Sequence, residues 1–258
     1  MNQNERRRYL IEELLKEQPA YQGLAIASDA HEQERQLRAL LNVRQPGEIS
    51  KAFLQVQDDY LTEAIREKGI VRLTDLSPLT DGLYLWQGDI TRLAVDAIVN
   101  AANSGLTGCY QPNHNCIDNC IHTYSGVQLR LACAKIMAEQ GHEEPTGQAK
   151  ITPAYNLPSK YILHTVGPII AIGQPSAAQQ AQLAACYRSC LELAAEHGCH
   201  SIAFCCISTG VFRFPNQLAA EIAIHTVKQY QQQTDSPLEV VFNVFKETDW
   251  EIYRRLLG

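Results

Sequence analysis

The chain has 258 residues, of which 45% are hydrophobic and 19% are charged, and its formal net charge is -6. This is an ordinary globular composition with enough length for a substantial core, and it provides no basic field to attract nucleic acid or an anionic membrane. No stretch approaches the ~20 apolar residues of a membrane span or resembles a signal segment. We therefore expect a cytoplasmic protein with neither nucleic acid nor membrane as a partner.

The first part of the chain, up to about residue 75, has helical periodicity. The segments "RRRYLIEELLKEQ", "HEQERQLRALLNVR" and "KAFLQVQDDYLTEAIREKG" carry apolar residues at helical spacing, with "QPGEIS" as a turn between the last two. The region contains no cysteine and no glycine-rich loop. We expect residues 1–77 to form a helical extension that packs on the next domain or selects partners, with no catalytic residue or metal ligand of its own.

From about residue 80 the pattern changes to strands alternating with helices. Six short apolar segments predict buried strands: "LYLWQGDI", "DAIVNAAN", "AKITPAYNL", "YILHTVGP", "SIAFCCIS" and "EVVFNVF". Helices are predicted over 118–139, 176–197, 216–232 and 248–257. This alternation is typical of a layered α/β domain, which we place at 78–258.

The nine cysteines predict no disulfide framework, because their number is odd and a cytosolic chain keeps its thiols reduced. Five of them lie in apolar surroundings and are expected to be small buried hydrophobic residues. These five are Cys186, Cys190, Cys199, Cys205 and Cys206.

Three predicted strand ends carry candidate ligand-binding loops. They are "QGDIT" at 87–91, "NAANSGLTGC" at 100–109 and "ISTGVFRFP" at 207–215. In open α/β sheets ligands bind outside the carboxyl ends of the strands, and a Ser-Thr-Gly turn before a helix presents N–H groups to an anion. Taken alone, each loop could also be a plain connection.

The combination of motifs is more specific. In order, "GDIT", "VNAAN", "DNCIHTYSG", "ISTGVFRFP" and "VFNVFKETDWEIY" resemble the macrodomain family over roughly residues 80 to 257. The D-x-x-I-H segment and the Ser-Thr-Gly-aromatic loop resemble its MacroD-type hydrolase branch. The resemblance implies a three-layer α/β/α macrodomain with a mixed central sheet after the helical extension. It also implies binding of ADP-ribose and its removal from modified proteins.

One stretch departs from the MacroD-type pattern. It reads "GCYQPNHNCID" and contains Cys109, His114 and Cys116, which are soft and borderline ligands suited to Zn²⁺. It is similar to the zinc-containing macrodomains of bacterial sirtuin-linked operons, which also carry an N-terminal helical extension. Three protein ligands leave a fourth position open, as in catalytic zinc sites. The alternatives are a structural zinc completed by Cys120 or His122, and a cluster that binds no metal.

By resemblance, the adenine end of the ligand meets Asp89, the Ile90 backbone and Phe245. Asp89 should accept a hydrogen bond from the adenine amino group, and Phe245 should stack on the ring. Asp89 could instead be a helix N-cap, and Phe245 a core residue.

The resemblance also assigns the diphosphate and the distal ribose. Phe212 should pack against the distal ribose, and Asn103 should bind one of its hydroxyls. Asn103 could also be a turn residue that tolerates positive φ, and both roles could hold together. Arg213 stands where MacroD-type proteins have glycine, so the resemblance does not fix the shape of this loop. The residues expected to bind the diphosphate are Ser208, Thr209, Gly210 and Val211.

Asp118 and Asn103 are the expected catalytic residues. Hydrolysis at the anomeric carbon needs an oriented water, which a carboxylate such as Asp118 could hold, while zinc could activate that water or grip the distal ribose. Asp118 could also be only a helix cap, and for His122 we expect packing or orientation.

The sequence thus predicts a zinc-dependent protein-ADP-ribose hydrolase whose ligand is ADP-ribose and whose substrate is a mono-ADP-ribosylated protein. By resemblance, the modified substrate could be a carrier protein of lipoate metabolism. Three alternatives remain open: a non-catalytic ADP-ribose-binding module, a hydrolase of O-acetyl-ADP-ribose, and a redox or zinc sensor.

Overall fold

The computed structural model describes residues 1–21, 23–80, 82–234 and 236–258. It begins with three helices, α1 (Gln3–Glu17), α2 (Ala30–Val43) and α3 (Lys51–Lys68), where helical periodicity predicts them. Each starts after a polar residue whose side chain accepts a hydrogen bond from the first turn, which satisfies N–H groups that have no partner within the helix. These residues are Asn2, Asp29 and Ser50.

The N-terminal helices have a hydrophobic core of their own. It comprises the buried residues Leu10, Ile11, Leu14, Leu15, Leu37, Leu40, Leu41 and Phe53, and it is completed by Val127 from the following domain. The extension therefore packs on that domain through an apolar contact.

The rest of the chain alternates strands and helices, as predicted. The strands are β1 (Val71–Arg72), β2 (Pro78–Thr80), β3 (Leu83–Gln87), β4 (Leu93–Ala94), β5 (Ala97–Ala101), β6 (Ala149–Pro153), β7 (Tyr161–Thr165), β8 (Ser201–Phe204) and β9 (Glu239–Val244). The helices are α4 (Ile117–Ser125), α5 (Val127–Gln140), α6 (Ala177–Glu196), α7 (Asn216–Thr234) and α8 (Glu247–Leu257).

Seven strands form one mixed sheet in the order β2-β3-β9-β8-β5-β7-β6, with helices on both sides. The inner strands β3, β9, β8, β5 and β7 are parallel, and the edge strands β2 and β6 are antiparallel to their neighbours. The expected three-layer α/β/α arrangement is thus confirmed. Because carboxyl ends of parallel strands meet at one edge, the loops after β3, β5, β8 and β9 share that edge.

The prediction of one continuous helix over 118–139 is wrong. The segment contains two helices, α4 and α5, which are separated at Gly126. Gly126 has φ +99°, a conformation that other residues rarely adopt, and it ends α4 while preceding α5. Apolar periodicity alone does not reveal such a break.

Four of the five cysteines expected in the core are buried, and Cys206 is partly exposed. The two-residue strands β1 and β4, which the sequence did not predict, pair with each other in parallel. Within the described ranges, no helix combines the length and apolar character that crossing a membrane requires.

Candidate nucleotide and metal site

The loop after β3 carries Asp89, which caps a short 3₁₀ turn. Its Oδ1 accepts hydrogen bonds from the backbone N–H and the hydroxyl of Thr91, at 3.0 and 2.6 Å. Its Oδ2 lies 3.4 Å from Lys68 Nζ, and the Lys68 ammonium also lies over the ring of Tyr124. Asp89 is therefore an N-cap through Oδ1, and only Oδ2 takes no part in the cap. Ile90 beside it is buried, and adenine recognition by this pair stays a prediction.

Phe245 follows β9 directly and leaves 76% of its surface exposed. The alternative that it is a core residue is therefore wrong. An exposed aromatic ring at the carboxyl end of a central strand is available for stacking, which is the role the resemblance implies for Phe245.

The loop after β8 is shaped by unusual backbone angles. Ser208 and Arg213 have φ +65° and +59°, and the Phe214 N–H donates back to the Ser208 carbonyl at 3.0 Å. Arg213 thus adopts a left-handed conformation that glycine adopts at less cost. This agrees with the glycine that MacroD-type proteins have at the same position.

The same loop leaves one hydroxyl and two adjacent exposed residues open to a ligand. The Ser208 hydroxyl is buried without a hydrogen-bond partner, and a β-carbon on Gly167 would overlap it. Gly210 and Val211 are exposed, whereas Phe212 is half-buried. The Thr209 hydroxyl donates to the Cys206 carbonyl at 2.9 Å. Backbone amides of a tight turn before a helix form an anion-binding concavity, so the loop suits a diphosphate.

Asn103 after β5 holds two loop groups at once. Its Nδ2 donates to Asp118 Oδ2 and to the Gly108 carbonyl, both at 3.1 Å, and its Oδ1 accepts from the Gly105 N–H. The positive φ angles in this loop, +54° and +85°, belong to Leu106 and Gly108 rather than to Asn103. Asn103 is nevertheless a turn residue, since the Leu106 N–H donates to its carbonyl at 3.0 Å, but it does not itself adopt a positive φ.

Asp118 lies in the first turn of α4 and is only 5% exposed. It does not cap the helix, because the N-cap is Cys116, whose Sγ accepts from the Asn119 N–H. Asp118 Oδ1 accepts from Asn100 Nδ2 at 2.8 Å, and Oδ2 accepts from Asn103. Burial raises the pKa of Asp118 to about 6, opposed by the bond from Asn100, the charge of Arg130 and the bond from Asn103.

A buried polar chain behind Asp118 was missed by sequence reasoning. Asn100 and His164 face each other in register across β5 and β7, and Asn100 Nδ2 lies 3.2 Å from His164 Nδ1. Since an amide nitrogen only donates, we assign the ring proton to Nε2, which faces the Thr152 hydroxyl at 2.9 Å. The position of Asn100 within "VNAAN" could have identified it as a site residue. The role of His164 could be recognised only once the strand register placed it beside Asn100.

His122, one helical turn beyond Asp118, is buried, and its Nε2 lies 3.6 Å from Asp118 Oδ1. Burial lowers the pKa of His122 well below its ordinary value, so the ring is neutral. The loop passes so close that a β-carbon on Gly108 would lie 2.7 Å from this ring. Glycine is therefore needed at position 108.

Among the residues that the structure describes, two groups of side chains bring potential metal ligands together. In one, Cys109 Sγ, a ring nitrogen of His114 and Cys116 Sγ lie within 4.8 Å of one another, and Cys109 Sγ lies 3.5 Å from His114 Nδ1. Tetrahedral zinc bonds of about 2.3 Å to sulfur and about 2.0 Å to nitrogen separate neighbouring ligand atoms by roughly 3.5 Å. The S₂N donor set and its spacing therefore fit Zn²⁺.

Thiolate formation in this first group would depend on a bound cation. Burial, together with the nearby Cys109 and Asp118 and against the bond from Asn119, raises the pKa of Cys116 to about 12. A divalent ion would reverse this balance and stabilise the thiolates. Cys120 lies outside the group, since its Sγ accepts from Arg38 at 3.4 Å.

In the second group, His122, Cys133 and His164 are all buried. His164 already has partners at both nitrogens, and burial raises the pKa of Cys133 to about 12. We assign this group to a neutral polar network around Asp118 rather than to a metal.

The comparisons with known proteins agree with this geometry. Residues 99–223 match the family model described as "Macro domain". The chain is 61% identical, over its full length and that of its relative, to a protein of Treponema medium named "Protein-ADP-ribose hydrolase".

Solved structures give the same picture. A macrodomain of Oceanobacillus iheyensis with ADP is 38% identical, covers 70% of this chain and 93% of its own, and superposes with a TM-score of 0.63. A macrodomain of Trypanosoma brucei in complex with ADP-ribose is 29% identical, covers 86% of this chain and 95% of its own, with a TM-score of 0.68. The motifs, the sheet and these relatives together show that the chain belongs to the macrodomain family.

Proposed function

We propose that this chain is a zinc-dependent protein-ADP-ribose hydrolase. The observation that carries the proposal is the position of Asp118, a buried carboxylate held by Asn100 and Asn103 and located two residues after Cys116 of the ligand group. The name of the full-length Treponema medium relative supports the hydrolase activity.

The binding cleft is proposed to run along the carboxyl edge of the sheet. Adenine would lie against Phe245 with its amino group at Asp89 Oδ2, while the loop 208–212 would bind the diphosphate and pack Phe212 on the distal ribose. Asn103 would then meet the distal ribose beside Asp118. The exposure of Phe245 and the free hydroxyl of Ser208 support this orientation of the ligand in the cleft.

The proposed reaction is hydrolysis at the anomeric carbon of the distal ribose. The bond from that carbon to the acceptor breaks, the oxygen of water forms the new bond, and the acceptor leaves with a proton. The Asp118 carboxylate orients the attacking water, and the amides of Asn100 and Asn103 fix the carboxylate without leaving it exposed to bulk solvent.

Cys109, His114 and Cys116 would hold the metal. Zn²⁺ bound there would act as a Lewis acid, either by lowering the pKa of a bound water or by coordinating a ribose hydroxyl. The loop around these ligands leads directly into α4, so metal binding would also set the position of Asp118.

The substrate is proposed to be a mono-ADP-ribosylated protein. A lipoate-metabolism carrier as the modified protein stays a prediction from the resemblance. Incubation of the full chain with a radiolabelled ADP-ribosylated acceptor tests the activity. We expect release of free ADP-ribose, in amounts equal to the unmodified acceptor formed.

Two results would contradict this function. Tight binding of the modified acceptor without release would identify a non-catalytic module. Release from O-acetyl-ADP-ribose but never from modified protein would identify the small-molecule hydrolase.

A further inference from the structure

Helix α2 of the N-terminal extension contacts the loop that carries Cys109, His114 and Cys116. Arg38 on this helix donates through Nη2 to the His114 carbonyl at 2.8 Å and to Asn119 Oδ1 at 3.0 Å. The same nitrogen lies 3.4 Å from Cys120 Sγ. One side chain of the extension thus reaches the backbone of a candidate ligand.

Asn42, one helical turn further along α2, contacts the residue before that ligand. It is 1% exposed; its Oδ1 accepts from the Asn113 N–H at 2.9 Å, and its Nδ2 donates to the Thr123 hydroxyl at 2.9 Å. Asn113 has φ +55°, a conformation that needs local support in a non-glycine residue. Asn42 supplies such a bond just before His114.

Asn119 connects these contacts to both cysteine ligands. Its Nδ2 donates to the carbonyls of Cys109 and Gln111, at 3.3 and 3.0 Å, and its N–H donates to Cys116 Sγ at 3.4 Å. Since Arg38 donates to the Oδ1 of the same side chain, α2 is linked through one asparagine to the whole ligand loop.

We propose that helix α2 is a positioning element of the metal site, with Arg38 and Asn42 holding residues 109–116 in the ligating conformation. This proposal rests on the zinc assignment made above. Neither residue is a ligand; both fix the backbone that carries the ligands. Groups that hydrogen-bond to the residues carrying the metal ligands typically contribute 10- to 100-fold to metal affinity.

The contacts exceed what docking of the extension requires. The apolar cluster completed by Val127 already attaches the extension to the following domain. Arg130 attaches it a second time, by donating to the carbonyls of Leu41, Asn42 and Arg44. Arg38 and the acceptor side of Asn42 instead bind the ligand loop itself.

The test is metal affinity in the full chain, measured by Co²⁺ absorption and by Zn²⁺ competition against a chromogenic chelator. Thiolate-to-cobalt absorption reports the ligand set independently of turnover. Arg38→Met and Asn42→Leu should each weaken affinity by about tenfold or more. Arg38→Lys, which keeps a positively charged donor group, should recover part of the loss.

Two arginines provide matched controls. Arg35 lies on the same helix and is exposed, so Arg35→Met should bind metal like the wild type. Arg7 is buried and donates to Gln33 and Glu34 of α2 without touching the ligand loop. Arg7→Met should loosen the packing of α1 on α2 and lower stability, yet leave metal affinity within about threefold, far inside the loss expected at Arg38 and Asn42.

A second measurement is independent of any variant. Coupling between two sites is reciprocal, so Zn²⁺ should slow hydrogen exchange of α2 amides around residues 38–42 in the wild type. Wild-type affinity in Arg38→Met and Asn42→Leu would overturn the proposal, as would an equal loss in Arg7→Met or unchanged exchange. Wild-type protein with no thiolate-to-cobalt absorption would refute the zinc assignment itself.

Discussion

At the scale of single residues, the site is defined by how polar groups are held in a buried setting. Asp118 keeps two amide donors although it is 5% exposed, and the neutral rings of His122 and His164 surround it without adding charge. The proposed catalytic carboxylate is thus oriented by neutral groups, which leaves its charge available to the reaction.

Asp118→Ala should bind zinc and ADP-ribose almost as well as the wild type but lose turnover by about 10²- to 10⁴-fold. The physical reason is that the carboxylate would act mainly in the transition state. Metal analysis, calorimetry with ADP-ribose and release of ADP-ribose from a modified acceptor measure the three quantities. Full turnover in this variant would remove Asp118 from the mechanism.

Phe245→Ala should weaken ADP-ribose binding by about tenfold, because stacking of a base on an aromatic ring contributes on the order of 1–3 kcal/mol. Phe245→Tyr keeps the ring and is the matched control. Since the side chain is 76% exposed, neither change should alter the unfolding temperature. Equal affinities of the wild type and the alanine variant, measured by calorimetry, would refute the adenine assignment.

At the scale of elements, the ends of strands and helices place the chemistry. β3, β5, β8 and β9 deliver their loops to one edge of the sheet, and α4 begins at a ligand residue, Cys116. Gly126 then ends α4 and lets α5 start in a new direction.

Gly126→Ala should destabilise the protein by about 1–3 kcal/mol, since φ is +99° and a β-carbon would lie 2.6 Å from Gln57 Nε2 and Gln128 Oε1. Gly141→Ala is the control: its φ is also positive, +74°, but a β-carbon there meets nothing within 4 Å. Urea unfolding of both variants measures the difference. An equal loss in the two would mean that crowding at Gly126 has no effect.

Element types were predictable because apolar periodicity is local. "DAIVNAAN" and "EVVFNVF" predict strands that the structure contains as β5 and β9. The break at Gly126 was not predictable, because a glycine in a periodic segment does not reveal its φ. The pair β1 and β4 is too short for any periodicity to appear.

At the scale of the whole molecule, the extension and the macrodomain share buried polar contacts. Arg130 on α5 donates to three carbonyls at the end of α2 and, through Nε, to the Thr107 carbonyl at 2.7 Å. Its guanidinium also lies 4.3 Å from the Tyr110 ring centre. The extension is therefore tied to the loop that leads into the ligand group.

Arg130→Met should lower the free energy of unfolding by on the order of 3 kcal/mol, because it leaves several buried carbonyls without a donor. Lys135→Met on the same helix is the control, since Lys135 is exposed. Urea denaturation compares the two. A loss below about 0.5 kcal/mol, the range typical of surface substitutions, would show that this contact does not hold the extension.

The residues expected at the site were recognisable because they occupy short motifs whose order resembles a family. Arg38 and Asn42 could not be predicted in the same way. Their partners lie 71 to 82 positions away, and nothing in a helical segment indicates which exposed-looking polar residue will face another domain.

The most direct test of a zinc-dependent hydrolase is the initial rate of ADP-ribose release by the full chain before metal removal, after removal with a chelator, and after Zn²⁺ is restored. The matched variant is Cys116→Ser, whose hydroxyl can still cap α4 but is a poor zinc ligand. A zinc-dependent hydrolase should lose activity as its zinc content falls and regain it with added Zn²⁺, whereas Cys116→Ser should stay inactive. Full turnover by zinc-free wild-type protein would contradict this zinc dependence.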